Sequence, residues 1–183
     1  ALTPGERNRE EKEFDAQNLA EGKAKLKLVA LLQMTLPGAP TIYYGDEIGM
    51  EGGQDPVCRG GFPWDSGCWA QGLLDHVKRC TALRHAHPAL RRGDLTWLFS
   101  GQGVVAFGRR LGSETMLVIL NASSQPVMLS LHVAGYLPDG VRLYDVWQGG
   151  EVTVTGGRVD GVMMAARTGT VLEAIGDGSA MPR

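Results

Sequence analysis

From Gly93 onward the chain repeats one pattern, a short apolar or alternating run followed by a turn. The runs are Leu95–Phe99, Val104–Arg110, Thr115–Asn121, Val127–Val133, Val141–Trp147, Glu151–Thr155, Gly157–Met163 and Val171–Ile175. Between them stand the turn signals GQG, LGS, ASSQP, LPDG, QGG and TGG. Runs this short, rich in β-branched and apolar residues and bounded by Gly, Pro, Asn, Asp and Ser, specify strands joined by tight connections. About eight such strands in roughly 90 residues predict an antiparallel β-sandwich able to hold its own core.

Ahead of Gly93 the periodicity is different. In Lys23–Met34, Lys23 and Lys27 share one face at i, i+4 and most other positions are apolar, which predicts a helix with a narrow wet stripe. Pro37 and Gly38 stop it. A second helix is expected over Trp69–His85, where Leu73, Val77 and Cys80 recur at i, i+4 and i+7 and Leu74, Thr81 and Leu83 widen the apolar face. Pro88 and Gly93 mark its end. Between the helices lies Leu36–Asp65, LPGAPTIYYGDEIGMEGGQDPVCRGGFPWD. Its run Thr41–Tyr44 reads as a short buried strand, and the loop of about 20 residues behind it is too long to be a mere connector. Helix–strand–helix is half of an α/β layer arrangement. A lone parallel strand lacks partners, so its faces are expected to pack on another part of a longer polypeptide or on a second copy of the chain. The polar opening Ala1–Asn18 reads as a solvated loop or frayed helix, and the tail Gly176–Arg183 as disordered.

The bulk numbers exclude several classes. Across 183 residues, 43% are hydrophobic and 21% charged, with a formal net charge of -2, so nothing points to nucleic acid or to an acidic membrane surface. No apolar run approaches the roughly 18–20 residues that span a bilayer, and Ala1–Glu13 lacks the apolar centre of a secretory signal. Cys58, Cys68 and Cys80 are odd in number and without CxxC spacing, which fits a reducing compartment and favours the cytoplasm. No His/Cys set shows metal-ligand spacing, so neither a metal nor another cofactor is expected. His76, His85, His87 and His132 stand at no suggestive spacing from a Ser, Cys or metal-type partner and read as structural or exposed.

Two stretches carry a resemblance. LPGAPTIYYGDEIGMEGG, continuing through QDPVCR to GGFPWD, resembles the eighth barrel strand and following loop of the alpha-amylase superfamily of glycoside hydrolases. EGGQDPVCR in particular resembles the neopullulanase, cyclomaltodextrinase and maltogenic amylase branch, although Val57 and Gly60 stand where that branch commonly carries an acid and a second basic residue. LRHAHPALRRGD, Leu83–Asp94, is similar to the end of that family's eighth barrel helix and its entry into the C-terminal β-domain. The resemblance implies the last strand and helices of a (β/α)8 barrel over residues 1–92, followed by an all-β antiparallel sandwich over 93–183. Active sites of such barrels lie where the loops leave the C-terminal ends of the strands.

It also implies what chemistry to expect. Retaining enzymes of this family use two carboxyl groups, about 5–5.5 Å apart, as nucleophile and acid/base. By the match of motifs, those groups belong to strands preceding Ala1, so no residue here is assigned a catalytic role and the segment alone is expected to be inactive. Asp55 and Arg59 of QDPVCR match the family's sugar-hydroxyl contacts, the carboxylate accepting from hydroxyls and the guanidinium fork donating to oxygens. An ion pair that only shapes the loop is the alternative role for these two. Asp46 and Glu47 are read as loop anchors, and Tyr43, Tyr44, Phe62 and Trp64 as packing residues that could also stack on a sugar. The expected partner is an alpha-glucan, with self-association possible. A non-catalytic maltooligosaccharide-binding or interaction module is the alternative to a part of an enzyme.

Overall fold

A computed structural model describes residues 16–52 and 55–175. All eight expected strands form: β1 (Asp94–Gly101), β2 (Val104–Leu111), β3 (Glu114–Asn121), β4 (Val127–His132), β5 (Arg142–Asp145), β6 (Glu151–Thr153), β7 (Arg158–Met164) and β8 (Thr168–Ile175). They make a six-stranded sheet in the order β1-β2-β3-β8-β5-β6 and a two-stranded sheet of β4 and β7. Every pairing is antiparallel. The turn signals act as read. Between β1 and β2, Gln102 and Gly103 both take positive φ (53° and 74°), the twist that a two-residue hairpin loop requires.

Helices α1 (Ala16–Thr35), α2 (Gln71–Ala86) and α3 (Pro88–Arg92) form a third layer. The strand period of two then sorts the large sheet's side chains between two neighbours. Val104, Ala106, Leu117, Ile119 and Leu172 share a core with Leu129, Leu131, Val159 and Met164 of the small sheet. Phe107, Met116, Val118, Leu120 and Val171 pack against Leu31, Met34, Cys80, Leu83 and Leu90 of the helices. With both faces covered, Thr115–Asn121 of β3 are all buried.

Two buried arginines clasp the ends of the helices, Arg84 from α2 and Arg109 from the sheet. Arg84 donates to the carbonyls of Met34 (2.7 Å), Leu36 (3.0 Å), Gly38 (2.5 Å) and Leu90 (2.9 Å). Arg109, on β2, donates to Leu90 (2.9 Å), Gly93 (2.9 Å), Asp94 (3.3 Å) and Thr35. The carbonyls at a helix C-terminus have no intrahelical donor, and these guanidinium forks supply one.

The expected strand at Thr41–Tyr44 does not form. Thr41, Ile42 and Tyr43 belong to no helix or strand, and Ile42 and Tyr43 are 42% and 57% exposed. A parallel strand needs a neighbour to take its backbone groups, and no strand of the described residues lies beside it. A barrel is accordingly not evident here. For the same reason α1 is less covered than its pattern predicts, with Val29 55% exposed. The helix does extend back to Ala16, whereas the rest of the polar opening and the tail Gly176–Arg183 lie outside the described residues. No helix of the described residues is long and apolar enough to cross a membrane.

Candidate functional site

Short hydrogen-bonded turns build the loop between α1 and α2. Asp46–Ile48 forms a single 3-10 turn whose buried Ile48 anchors it. Glu47 accepts from the Gly45 N–H at 3.0 Å, the anchoring role expected of it. The Asp46 carboxyl accepts no hydrogen bond among the described residues. Its partial burial, and then the Glu47 charge, raise it above the usual carboxylate range.

Asp55 and Arg59 stand at either end of a second such turn, Val57–Arg59, with Asp55 Oδ2 2.5 Å from Arg59 Nη2. Their side chains are 61% and 72% exposed, so the pair adds little to stability and leaves most of both head groups open to solvent. The internal ion pair is thus formed, and both side chains remain exposed. Tyr44 holds this part of the loop by donating from its hydroxyl to the Gly60 carbonyl at 2.9 Å. Tyr43 and Tyr44 lie 4.8 Å apart, ring to ring. Phe62 contacts both Trp64 (4.9 Å) and Trp69 (6.0 Å), and the Trp69 indole N–H donates to the Pro63 carbonyl at 2.7 Å. Trp64 itself is 84% exposed, so packing does not account for it.

The histidines divide. His76 bonds the Lys27 carbonyl at 2.8 Å and meets Trp147 edge-on at 5.3 Å, and burial lowers its pKa. His85 and His132 are exposed. His87 differs from the expectation made for it, because the fold brings it to Glu114 and Glu173. Sequence reasoning missed this cluster and the two arginine clasps, and no local spacing could have shown either.

Residues 96–172 match the family model described as the neopullulanase-like C-terminal domain. The chain is 41% identical over 111 residues to the cyclomaltodextrinase of Geobacillus thermopakistaniensis, covering 60% of this chain and 19% of that protein. Over 168 residues it is 35% identical to the amylopullulanase of Thermoanaerobacter thermohydrosulfuricus, covering 82% of this chain and 11% of that one. The alpha-amylase of Geobacillus thermoleovorans, solved with acarbose, superposes with a TM-score of 0.79 at 28% identity, covering 88% of this chain and 35% of that one. The chain thus resembles the C-terminal part of alpha-amylase-family glycoside hydrolases, and spans a tenth to a fifth of the length of these two sequence relatives. The residues matched by the family model begin two positions after Asp94 opens β1, and the similarity to the amylopullulanase is too long to lie within them alone.

Proposed function

We propose that this chain is the C-terminal part of a retaining glycoside hydrolase acting on alpha-glucans such as starch, pullulan, cyclodextrin or maltooligosaccharides. Residues 1–92 are the last part of its (β/α)8 barrel and 93–183 its sandwich. The observation that carries the reading is the Asp55–Arg59 pair, held on a long loop with both charged groups facing solvent. Asp55 accepts from paired sugar hydroxyls, and Arg59 donates to sugar oxygens while keeping Asp55 in place. The Thr41–Tyr43 segment, which lies outside any strand with Ile42 and Tyr43 exposed, and the exposed Val29 support the barrel assignment, since neighbouring barrel strands would cover them. The nucleophile and acid/base lie outside this chain, which by itself positions sugar and cleaves nothing.

The test combines a reducing-sugar assay with calorimetry on the pure chain. Starch, pullulan and cyclodextrin should show no turnover, while maltohexaose should bind. Losing a charged hydrogen bond, worth about 1.5–3 kcal/mol, should weaken binding roughly 10- to 100-fold in Arg59→Ala and Asp55→Ala. Turnover by the chain alone, or binding unchanged in both variants, would overturn the proposal.

A further inference from the structure

His87 sits where α2 gives way to α3, Glu114 opens β3, and Glu173 lies near the end of β8. The His87 Nδ1 is 2.9 Å from Glu114 Oε1 and 4.0 Å from Glu173 Oε1, and one ligand atom from each residue lies within 4.8 Å of the other two. The three side chains are 15%, 21% and 33% exposed. Glu114 Oε2 is held by the Ala89 N–H at 2.7 Å, which leaves Oε1 turned toward the histidine. Among the described residues Glu173 accepts no hydrogen bond, and its one ion-pair contact is to His87.

The short contact of His87 Nδ1 serves Glu114, while Glu173 stands 4.0 Å away with no hydrogen-bond donor among the described residues. A cation between the three groups would bind both carboxylates and the ring nitrogen at once. One nitrogen and two carboxylate oxygens is a donor set suited to zinc, and the nitrogen argues against calcium or magnesium. Donor atoms about a tetrahedral zinc at 2.0–2.2 Å lie roughly 3.3 Å apart, and the two contacts of His87 bracket that spacing. The Ala89 N–H acts as the outer partner that orients a ligating carboxylate.

We propose that His87, Glu114 and Glu173 form a site for a divalent, zinc-class cation that ties the start of α3 to β3 and β8. The site is independent of the glucan reading. It is a structural clamp, with its remaining coordination filled by water on the more open side of Glu173.

The full chain, stripped with a chelator, is titrated with zinc in a calorimeter and its Tm followed with and without the metal. Cobalt(II) replaces zinc for an absorption spectrum. One equivalent should bind and raise Tm, and Glu173→Gln, which leaves the His87–Glu114 contact and the Ala89 bond in place, should bind at least about tenfold more weakly. The cobalt spectrum should show nitrogen and oxygen ligation without thiolate charge transfer. No zinc-dependent change in Tm, equal binding by Glu173→Gln, or a thiolate band placing the metal on cysteine would each overturn the site. If Glu173→Gln fails to fold, the spectrum of the unaltered chain and the affinity of His87→Gln decide the question.

Discussion

Arg109 is fully buried and donates only to backbone carbonyls, those of Thr35, Leu90, Gly93 and Asp94. Burial, and then the charge of Arg84, lower its pKa. Replacing it by methionine fills much of the volume but leaves carbonyls at a helix end without donors. Arg109→Met should therefore cost about 3 kcal/mol or more in urea unfolding, and a loss under about 1 kcal/mol would contradict the clasp. Tyr136 is the opposite case, since its hydroxyl is buried with no partner. Tyr136→Phe should be neutral or slightly stabilising in the same measurement, because removing an unpaired polar atom removes its desolvation penalty.

Cys80 is likewise wholly buried, and burial pushes its thiol up to about 12 from an ordinary 9.0. The native state thus keeps a proton that the unfolded chain releases. The associated stability is complete below pH 9.0 and is lost as pH rises toward about 12. Tyr136, whose pKa burial also raises, adds to the same alkaline loss from about pH 10 upward. Cys80→Ala should flatten the lower part of that decline. In the unaltered chain, a thiol reagent should reach the exposed Cys68 at once and Cys80 only on unfolding. Equal reaction of both in the native state would contradict the packing of α2 on the sheet.

Among elements, the junction of α3 with β1 is closed by backbone on both sides. A Cβ on Gly93 would come 2.5 Å from the Ala89 carbonyl oxygen and 2.6 Å from that of Arg110, both backbone atoms with little freedom to move. Gly93→Ala should cost about 2 kcal/mol by thermal or chemical unfolding, the range of overpacking in a closed space. The motif LRHAHPALRRGD is legible as a helix end, yet its packing is not. Arg84, His87, Ala89 and Gly93 each meet residues far along the chain or across a sharp junction. The strands were read from the sequence more completely, because alternation, β-propensity and turn residues act over a few positions. Thr41–Tyr44 has the same local composition and does not become a strand, since composition cannot supply a hydrogen-bonding neighbour.

At the scale of the molecule, the sandwich and the helices share one core face of the large sheet. Arg167 adds an ion pair across the layers, 3.1 Å from Glu21 of α1, and Arg79 of α2 stacks over Trp147 at 4.1 Å. These contacts predict one cooperative unfolding transition for the described structure, with near- and far-ultraviolet circular dichroism giving the same midpoint. Residues 93–183 made alone should expose Phe107, Met116, Val118, Leu120 and Val171 and should bind a hydrophobic dye, whereas the intact chain should bind much less. Two separate transitions in the intact chain would show that the layers fold independently.

Sequence alone determined the eight strands after Gly93, the two longer helices and the family resemblance, and through that resemblance it pointed to Asp55 and Arg59. Each of these is carried by residues close together in the chain, where side-chain period, turn preference and motif are set locally. Tertiary structure decided which face of the sheet each helix covers, which buried carbonyls two arginines satisfy, and that His87, Glu114 and Glu173 meet. Those contacts depend on strand register and layer packing over long separations, to which local periodicity is blind. The loop of Asp55 and Arg59 stands between the two: its chemistry is visible in sequence, while its exposure to solvent is a property of the fold.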